Sequence, residues 1–199
     1  MAPPLILASA SRTRLELLER AGVAVTAEPA AVDETELKVV FQAEGASAEA
    51  CAEALAELKA MRISARHPTA LVIGADQMLD CNGTWFDKPP DLDLARAHLQ
   101  ALSGKSHRLV TAAVAVRDSE RLWHTIMAAK LTMRRLSDGF IDDYLQRIGP
   151  AALSSVGAYQ LEGLGAQLFE RVEGDFFTVL GLPLLPLLSF LRGQGVIGA

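Results

Sequence analysis

Ala70-Leu71-Val72-Ile73-Gly74-Ala75-Asp76 joins four consecutive apolar residues to two small ones and a carboxylate. A short unbroken apolar run predicts a strand over Ala70–Ile73, stopping at Gly74-Ala75-Asp76. Upstream, Leu5-Ile6-Leu7-Ala8 reads as a second buried strand. Ser9-Ala10-Ser11 then caps a helix reaching to Ala21, with Leu15 and Leu18 at helical spacing and Gly22 as the stop. Val23–Thr26 is a candidate strand, and Ser47–Arg66 an Ala- and Glu-rich helix with Leu55, Leu58 and Ile63 on its apolar face. Downstream, Asn82-Gly83 turns a hairpin between Gln77–Leu79 and Thr84–Phe86. A helix follows over Leu92–Leu102, then long strands over Arg108–Val116 and Leu122–Met133 around the polar turn Asp118–Glu120. Ser137 caps a helix to about Arg147, short strands are expected around Tyr159 and Leu168, and a last helix follows Gly181-Leu182-Pro183. Strand–helix alternation mixed with hairpins predicts an α/β fold with a mixed sheet.

The bulk numbers fit one such domain spanning residues 1–199. Apolar residues make up 50% of the chain and charged residues 22%, a globular balance. A formal net charge of −5 offers no basic field for a nucleic-acid polymer or an anionic membrane, but leaves room for a local phosphate pocket. Cys51 and Cys81 are too few for a disulfide framework and read as small buried residues in a reducing compartment. Met1–Ala8 lacks a basic start and is no signal peptide, and Leu180–Leu191 is too short and proline-broken to span a bilayer. His67, His98, His107 and His124 show no zinc spacing, and no Walker or dinucleotide glycine loop is present.

Three places can carry chemistry. Ser9-Ala10-Ser11-Arg12-Thr13-Arg14 joins a strand to a helix start, where small residues and free N–H groups favour an anion. Arginines there oppose the helix dipole unless a phosphate reverses the sign; the alternative is a capped helix with solvated arginines. Asp76, after its strand, stands where open sheets gather ligands, and is either a metal or water-activating carboxylate or a turn aspartate. Lys88, before the stiff Pro89-Pro90, is a phosphate-holding ammonium or a surface lysine. Glu34 and Lys59 alone read as solvated residues.

Taken in order, several short segments resemble the Maf family. They are Leu7-Ala8-Ser9-Ala10-Ser11 with Arg14, Val32-Asp33-Glu34, Lys59-Ala60, Gly74-Ala75-Asp76, Lys88-Pro89, Leu102-Ser103-Gly104-Lys105 with His107, Gly157-Ala158-Tyr159 and Gly181-Leu182-Pro183-Leu184. The resemblance covers nearly the whole chain. It implies a strongly twisted mixed sheet with flanking helices, like that of inosine triphosphate pyrophosphatases, around a central nucleotide cleft. It also implies a cytoplasmic enzyme, a homodimer in many members, and Mg²⁺ or Mn²⁺ as cofactor. The expected reaction is cleavage of a nucleoside triphosphate to the monophosphate and pyrophosphate. By position, Ser9, Arg14, Lys59 and Lys88 would hold the triphosphate, Lys88 beside the reaction. Glu34 and Asp76 would bind the metal or prepare water.

Thr13, Gln77 and Glu162 occupy the positions tied to the base. Gln77 and Glu162 are similar to the branch acting on 7-methyl-GTP, and a carboxylate suits guanine N–H groups and a cationic methylated ring. Thr13 fits neither branch, Arg12 replaces a common proline, and Ser154-Ser155-Val156 replaces the Asp-Lys-Ala of the thymidine/uridine branch. A dTTP/UTP or broad-specificity pyrophosphatase is therefore the alternative enzyme. A nucleotide-binding regulator of septum formation is the alternative of another class.

Overall fold

The structure is a computed structural model and describes residues 3–198. Met1 and Ala2, the start of the apolar N-terminal stretch, and Ala199 lie outside the described residues. The strands are β1 (Leu5–Leu7), β2 (Thr26–Ala27), β3 (Leu71–Cys81), β4 (Thr84–Phe86), β5 (Ser106–Arg117), β6 (Glu120–Met133) and β7 (Phe169–Glu173). The helices are α1 (Arg12–Arg20), α2 (Glu34–Ala43), α3 (Ala48–Ser64), α4 (Leu92–Leu102), α5 (Asp138–Ile148), α6 (Phe176–Val179) and α7 (Leu184–Gly193). The strands form one sheet in the order β2-β1-β3-β5-β6-β7, with β4 also paired to β3. β1 pairs parallel to β2 and β3, whereas β3–β4 and β6–β7 are antiparallel, so the sheet is mixed as expected.

The chain divides into two compact units. The first takes in the chain up to Gln77, Val110–Met127 and the chain from Asp175; the second takes in Met78–Leu109 and Ala128–Gly174. The chain passes from one to the other inside β3, β5 and β6.

In the first unit, Leu5, Leu7, Leu71 and Ile73 meet Leu18 of α1 and Leu184, Leu187 and Leu191 of α7 in one apolar cluster. The C-terminal helix thus packs on the core. Its Pro186 lies in the first turn, where a missing N–H interrupts no helical bond. β3 departs from the sequence expectation. It does not stop at Gly74 but runs eleven residues to Cys81. Gly74 is not a breaker: a Cβ there would overlap the Ala56 carbonyl oxygen and lie 2.9 Å from the Ala60 nitrogen. Its lack of a side chain lets α3 lie directly on the strand backbone.

α3 buries Cys51, Ala52, Leu55, Ala56, Lys59, Ala60, Ile63 and Ser64. That stripe replaces the expected Leu55–Leu58–Ile63 face, and Leu58 is exposed. α2 was not anticipated, and Asp33 caps it by accepting from Glu36 N at 3.1 Å.

In the second unit, Asn82 and Gly83 both have positive φ and turn β3 into β4 as the Asn-Gly pair predicts. The hairpin's first arm is the end of β3 rather than a separate strand. Tyr159 lies in no strand; it follows a short 3-10 turn at Val156–Ala158, where Gly157 and Ala158 have positive φ. The strand expected near Leu168 begins one residue later, at Phe169. Cys51 and Cys81 are both buried. Among the described residues no helix is long and apolar enough to cross a membrane.

His107 and Tyr159, from two separate motifs, meet in this unit. His107 Nε2 and the Tyr159 hydroxyl share a 2.7 Å hydrogen bond, both residues are buried, and Phe169 packs edge-on against Tyr159. Burial pushes the His107 imidazole down to about 4. Because its folded pKa is depressed, the unfolded chain takes up this proton first as the pH falls below about 6.5. Stability from neutral His107 is therefore present above that value and lost as the pH falls towards 4. Its contribution to the loss is at most about 3 kcal/mol. Urea melts of wild type and His107→Phe at pH 7 and pH 4.5 are expected to show a flatter pH dependence in the variant; equal slopes would assign the loss elsewhere.

Candidate active site

The parallel pairing of β1 with β3 ends at Leu7↔Ile73, while β3 continues. Ser9 and Asp76 therefore both lie just past the carboxyl end of the parallel segment, although Asp76 is in mid-strand. Side chains alternate along β3, so Asp76 shares the face of Gly74, against which α3 packs. Lys59 comes one residue before Ala60, on the buried stripe of that helix. The close approach at Gly74 thus brings an ammonium to a carboxylate.

Lys59 Nζ lies 2.6 Å from Asp76 Oδ1 and 2.6 Å from Glu34 Oε1. Lys59 and Asp76 are 7% and 4% exposed, so the solvated reading of Lys59 does not hold. Glu34, half-buried, opens α2, where the helix dipole favours an anion. Burial pushes the Glu34 carboxyl up, but Lys59, Lys38 and Arg14 outweigh it and hold the group below its ordinary value. Asp76 Oδ2 is buried and has no hydrogen-bond partner among the described residues.

The paired arginines at the start of α1 part company. Arg12 is exposed and pairs with Glu16 at 2.8 Å, the solvated alternative. Arg14 turns inward. Its Nη1 donates to Ala75 O at 3.0 Å and Ser9 Oγ at 3.3 Å, and its Nε donates to Gly181 O at 2.6 Å. Burial lowers the Arg14 pKa, while Asp76 and Glu34 pull it back up. Ser9 Oγ also accepts from Ser11 N at 3.1 Å, and Ser11 caps α1 through Arg14 N.

Two carboxylates and two cations leave this cluster near neutral. A triphosphate would bring a further three to four negative charges, which favours a divalent cation as an added counter-charge. The donors suit Mg²⁺ or Mn²⁺: carboxylate oxygens, one of them, Asp76 Oδ2, unpartnered among the described residues. Among the described residues no three His, Cys, Asp or Glu side chains gather as a closed metal cage. Asp76 and Glu34 are the carboxylates that would hold such an ion.

On the opposite face of β3, Gln77 Nε2 lies within hydrogen-bond reach of Thr111 Oγ1, Thr178 O and Val179 O. Thr13 is half-buried in the first turn of α1. Lys88 and Glu162 belong to the second unit and are exposed, Lys88 between β4 and α4, and Glu162 in a turn before β7. Sequence reasoning missed Thr111, Thr178 and the carbonyls of Ala75 and Gly181. Only the positive φ of Gly181, +93°, had a sequence signal, the glycine itself.

A family model described as Maf-like protein matches residues 4–194. The chain belongs to the Maf family. This Maf chain is 61% identical over 190 residues to a protein of Paramagnetospirillum magneticum named nucleoside triphosphate pyrophosphatase, covering 96% of this chain and 98% of that one. It is 52% identical over 199 residues to a protein of Rhizobium meliloti named 7-methyl-GTP pyrophosphatase, covering 100% of both. A solved dITP/XTP pyrophosphatase of Mycobacterium abscessus aligns over 96% of this chain and 97% of its own, at 19% identity and a TM-score of 0.46, too distant to bear on this Maf chain.

Lys59 is the shared cation of two carboxylates, one of them buried. Lys59→Met is expected to destabilise the Maf chain by about 3–5 kcal/mol in urea melts, because Asp76 would keep a buried charge without its partner. Adding Asp76→Asn should recover part of that loss; no recovery would mean that Lys59 acts by packing.

Proposed function

We propose that this Maf chain hydrolyses a nucleoside triphosphate to the monophosphate and pyrophosphate, with 7-methyl-GTP as its preferred substrate. The carrying observation is the Asp76 carboxylate, one oxygen held by Lys59 and the other buried and unpartnered, in a cluster with Glu34 and near Ser9 and Arg14. The names of close relatives support the same reaction and favour it over a septum-formation regulator.

In this reading, Ser9, Arg14, Lys59 and Lys88 bind and orient the triphosphate. Asp76 Oδ2 accepts a proton from water as the water oxygen bonds to the α-phosphorus. The bond from that phosphorus to the bridging oxygen breaks, and pyrophosphate leaves with the electron pair. Lys59, fixed on Oδ1, keeps the carboxylate in one orientation. Asp76 and Glu34 are the residues that would hold a divalent cation, which when bound would supply neutralising charge to the phosphates. Arg14 and Lys59 stabilise the charge that builds on the leaving group. Gln77, Glu162 and Thr13 read the base. A cytoplasmic location and a homodimer belong to the same proposal.

Pyrophosphate release with Mg²⁺ or Mn²⁺, across 7-methyl-GTP, GTP, dTTP, UTP and CTP, tests this directly. Asp76→Asn is expected to lower kcat by roughly 10²–10⁴-fold with its melting transition retained. Turnover near the wild-type rate would remove Asp76 from the centre of the reaction. Preference for dTTP or UTP would keep the reaction and discard the base assignment.

Glu162→Gln is expected to reduce the 7-methyl-GTP to GTP ratio of kcat/KM roughly tenfold, about 1.4 kcal/mol of discrimination. An unchanged ratio would show that Glu162 does not select the methylated ring.

A further inference from the structure

The Gln77 amide has an orientation that its neighbours dictate. Its Nε2 lies 2.9 Å from Thr178 O, 3.1 Å from Val179 O and 3.0 Å from Thr111 Oγ1. The two carbonyls can only accept, so the amide must turn its NH₂ towards them; the reverse orientation would press three oxygens together. Thr111 decides the third contact. It is fully buried, and its hydroxyl donates to Thr178 O at 2.9 Å, which leaves its lone pairs facing Gln77. Thr178 is itself fixed: Asp175 Oδ2 accepts from its N at 2.7 Å and from its Oγ1 at 2.9 Å.

With the NH₂ committed, the Gln77 Oε1 is the atom left to meet a ligand. It lies beside Gly181, where a Cβ would stand 3.7 Å from Oε1, 3.3 Å from Arg14 Nε and 3.5 Å from Arg14 Nη2. A side chain at 181 would fill the space beside both groups, in a backbone conformation that suits glycine.

We infer that Thr111 is a positioning residue for nucleotide recognition, locking the Gln77 amide so that it presents only an acceptor, and hence reads an N–H or O–H donor on the nucleoside. This deepens the proposed function and rests on it. A Thr111 hydroxyl that acts through Gln77 should affect nucleotide binding more than the chemical step at phosphorus.

The test compares wild type, Thr111→Val and Thr111→Ser on whichever nucleotide wild type turns over fastest, at a temperature well below each melting transition. Thr111→Val keeps the shape and removes the hydroxyl, so KM is expected to rise about tenfold with kcat within about twofold. Thr111→Ser keeps the hydroxyl and should stay within about twofold of wild type in both. A residue that only packs would give the opposite ranking, with valine tolerated and serine impaired. Unchanged KM in Thr111→Val, or that inverted ranking, would overturn the inference while leaving the reaction in place. No turnover by wild type of any nucleotide would instead sink the proposed function, and the inference with it.

A second measurement needs no variant. The Gln77 side-chain NH₂ of the wild-type protein should exchange with solvent at least tenfold more slowly than those of exposed glutamines, read by ¹⁵N-resolved NMR. Exchange at the exposed rate would show that the amide is not locked, and the inference would fail.

Discussion

One ammonium on the inner face of α3 ties the first unit's chemistry to its packing. Lys59 reaches Asp76 of β3 and Glu34 of α2 at the same distance, 2.6 Å, and so joins three segments far apart in sequence. A buried lysine is costly without partners, and the buried Asp76 carboxylate is costly without the lysine. Those two must be placed together, and the half-buried Glu34 adds to the pair from α2. Gly74 makes that placement possible by letting α3 lie on the backbone of β3 two residues before Asp76. The absence of one side chain thereby sets the position of a carboxylate.

Around this cluster the elements divide the work by the faces of β3. Asp76 shares the face covered by α3, where charge is concentrated. Ala75 and Gln77 lie on the other face; Ala75 joins the apolar cluster and Gln77 the polar network of Thr111 and α6. Arg14 spans both environments through the Ala75 and Gly181 carbonyls and Ser9. Alternation along a single strand thus separates a charged cluster from an uncharged hydrogen-bond network.

Not every short motif shared with the family is chemical. His107 and Tyr159 meet in the second unit and hold each other by a buried hydrogen bond beside Phe169. A neutral, fully enclosed imidazole is suited to fixing a turn with strained φ at Ala158 rather than to exchanging protons with a substrate.

Much of the fold was legible without coordinates, because its signals are local. Ser11 and Ser137 cap the helices expected of them, the helices expected from Ser47 and over Leu92–Leu102 form with Ser47 and Asp91 as their caps, and Asn82-Gly83 makes its hairpin. Glycine is the exception. In sequence, Gly74 reads as a strand end, because composition cannot distinguish a chain that turns from one that admits a close neighbour. Tertiary structure decided that, and it also decided which polar residues are buried. Lys59 and Glu34 look solvated in isolation, since a charge is buried only when its partners arrive from elsewhere in the chain. Thr111 carried no signal at all: a threonine in a strand is ordinary until the carbonyls of Thr178 and Val179 stand beside it. Local chemistry specified the elements, whereas the charges and hydrogen bonds that give the site its character depend on contacts between residues as much as 167 positions apart.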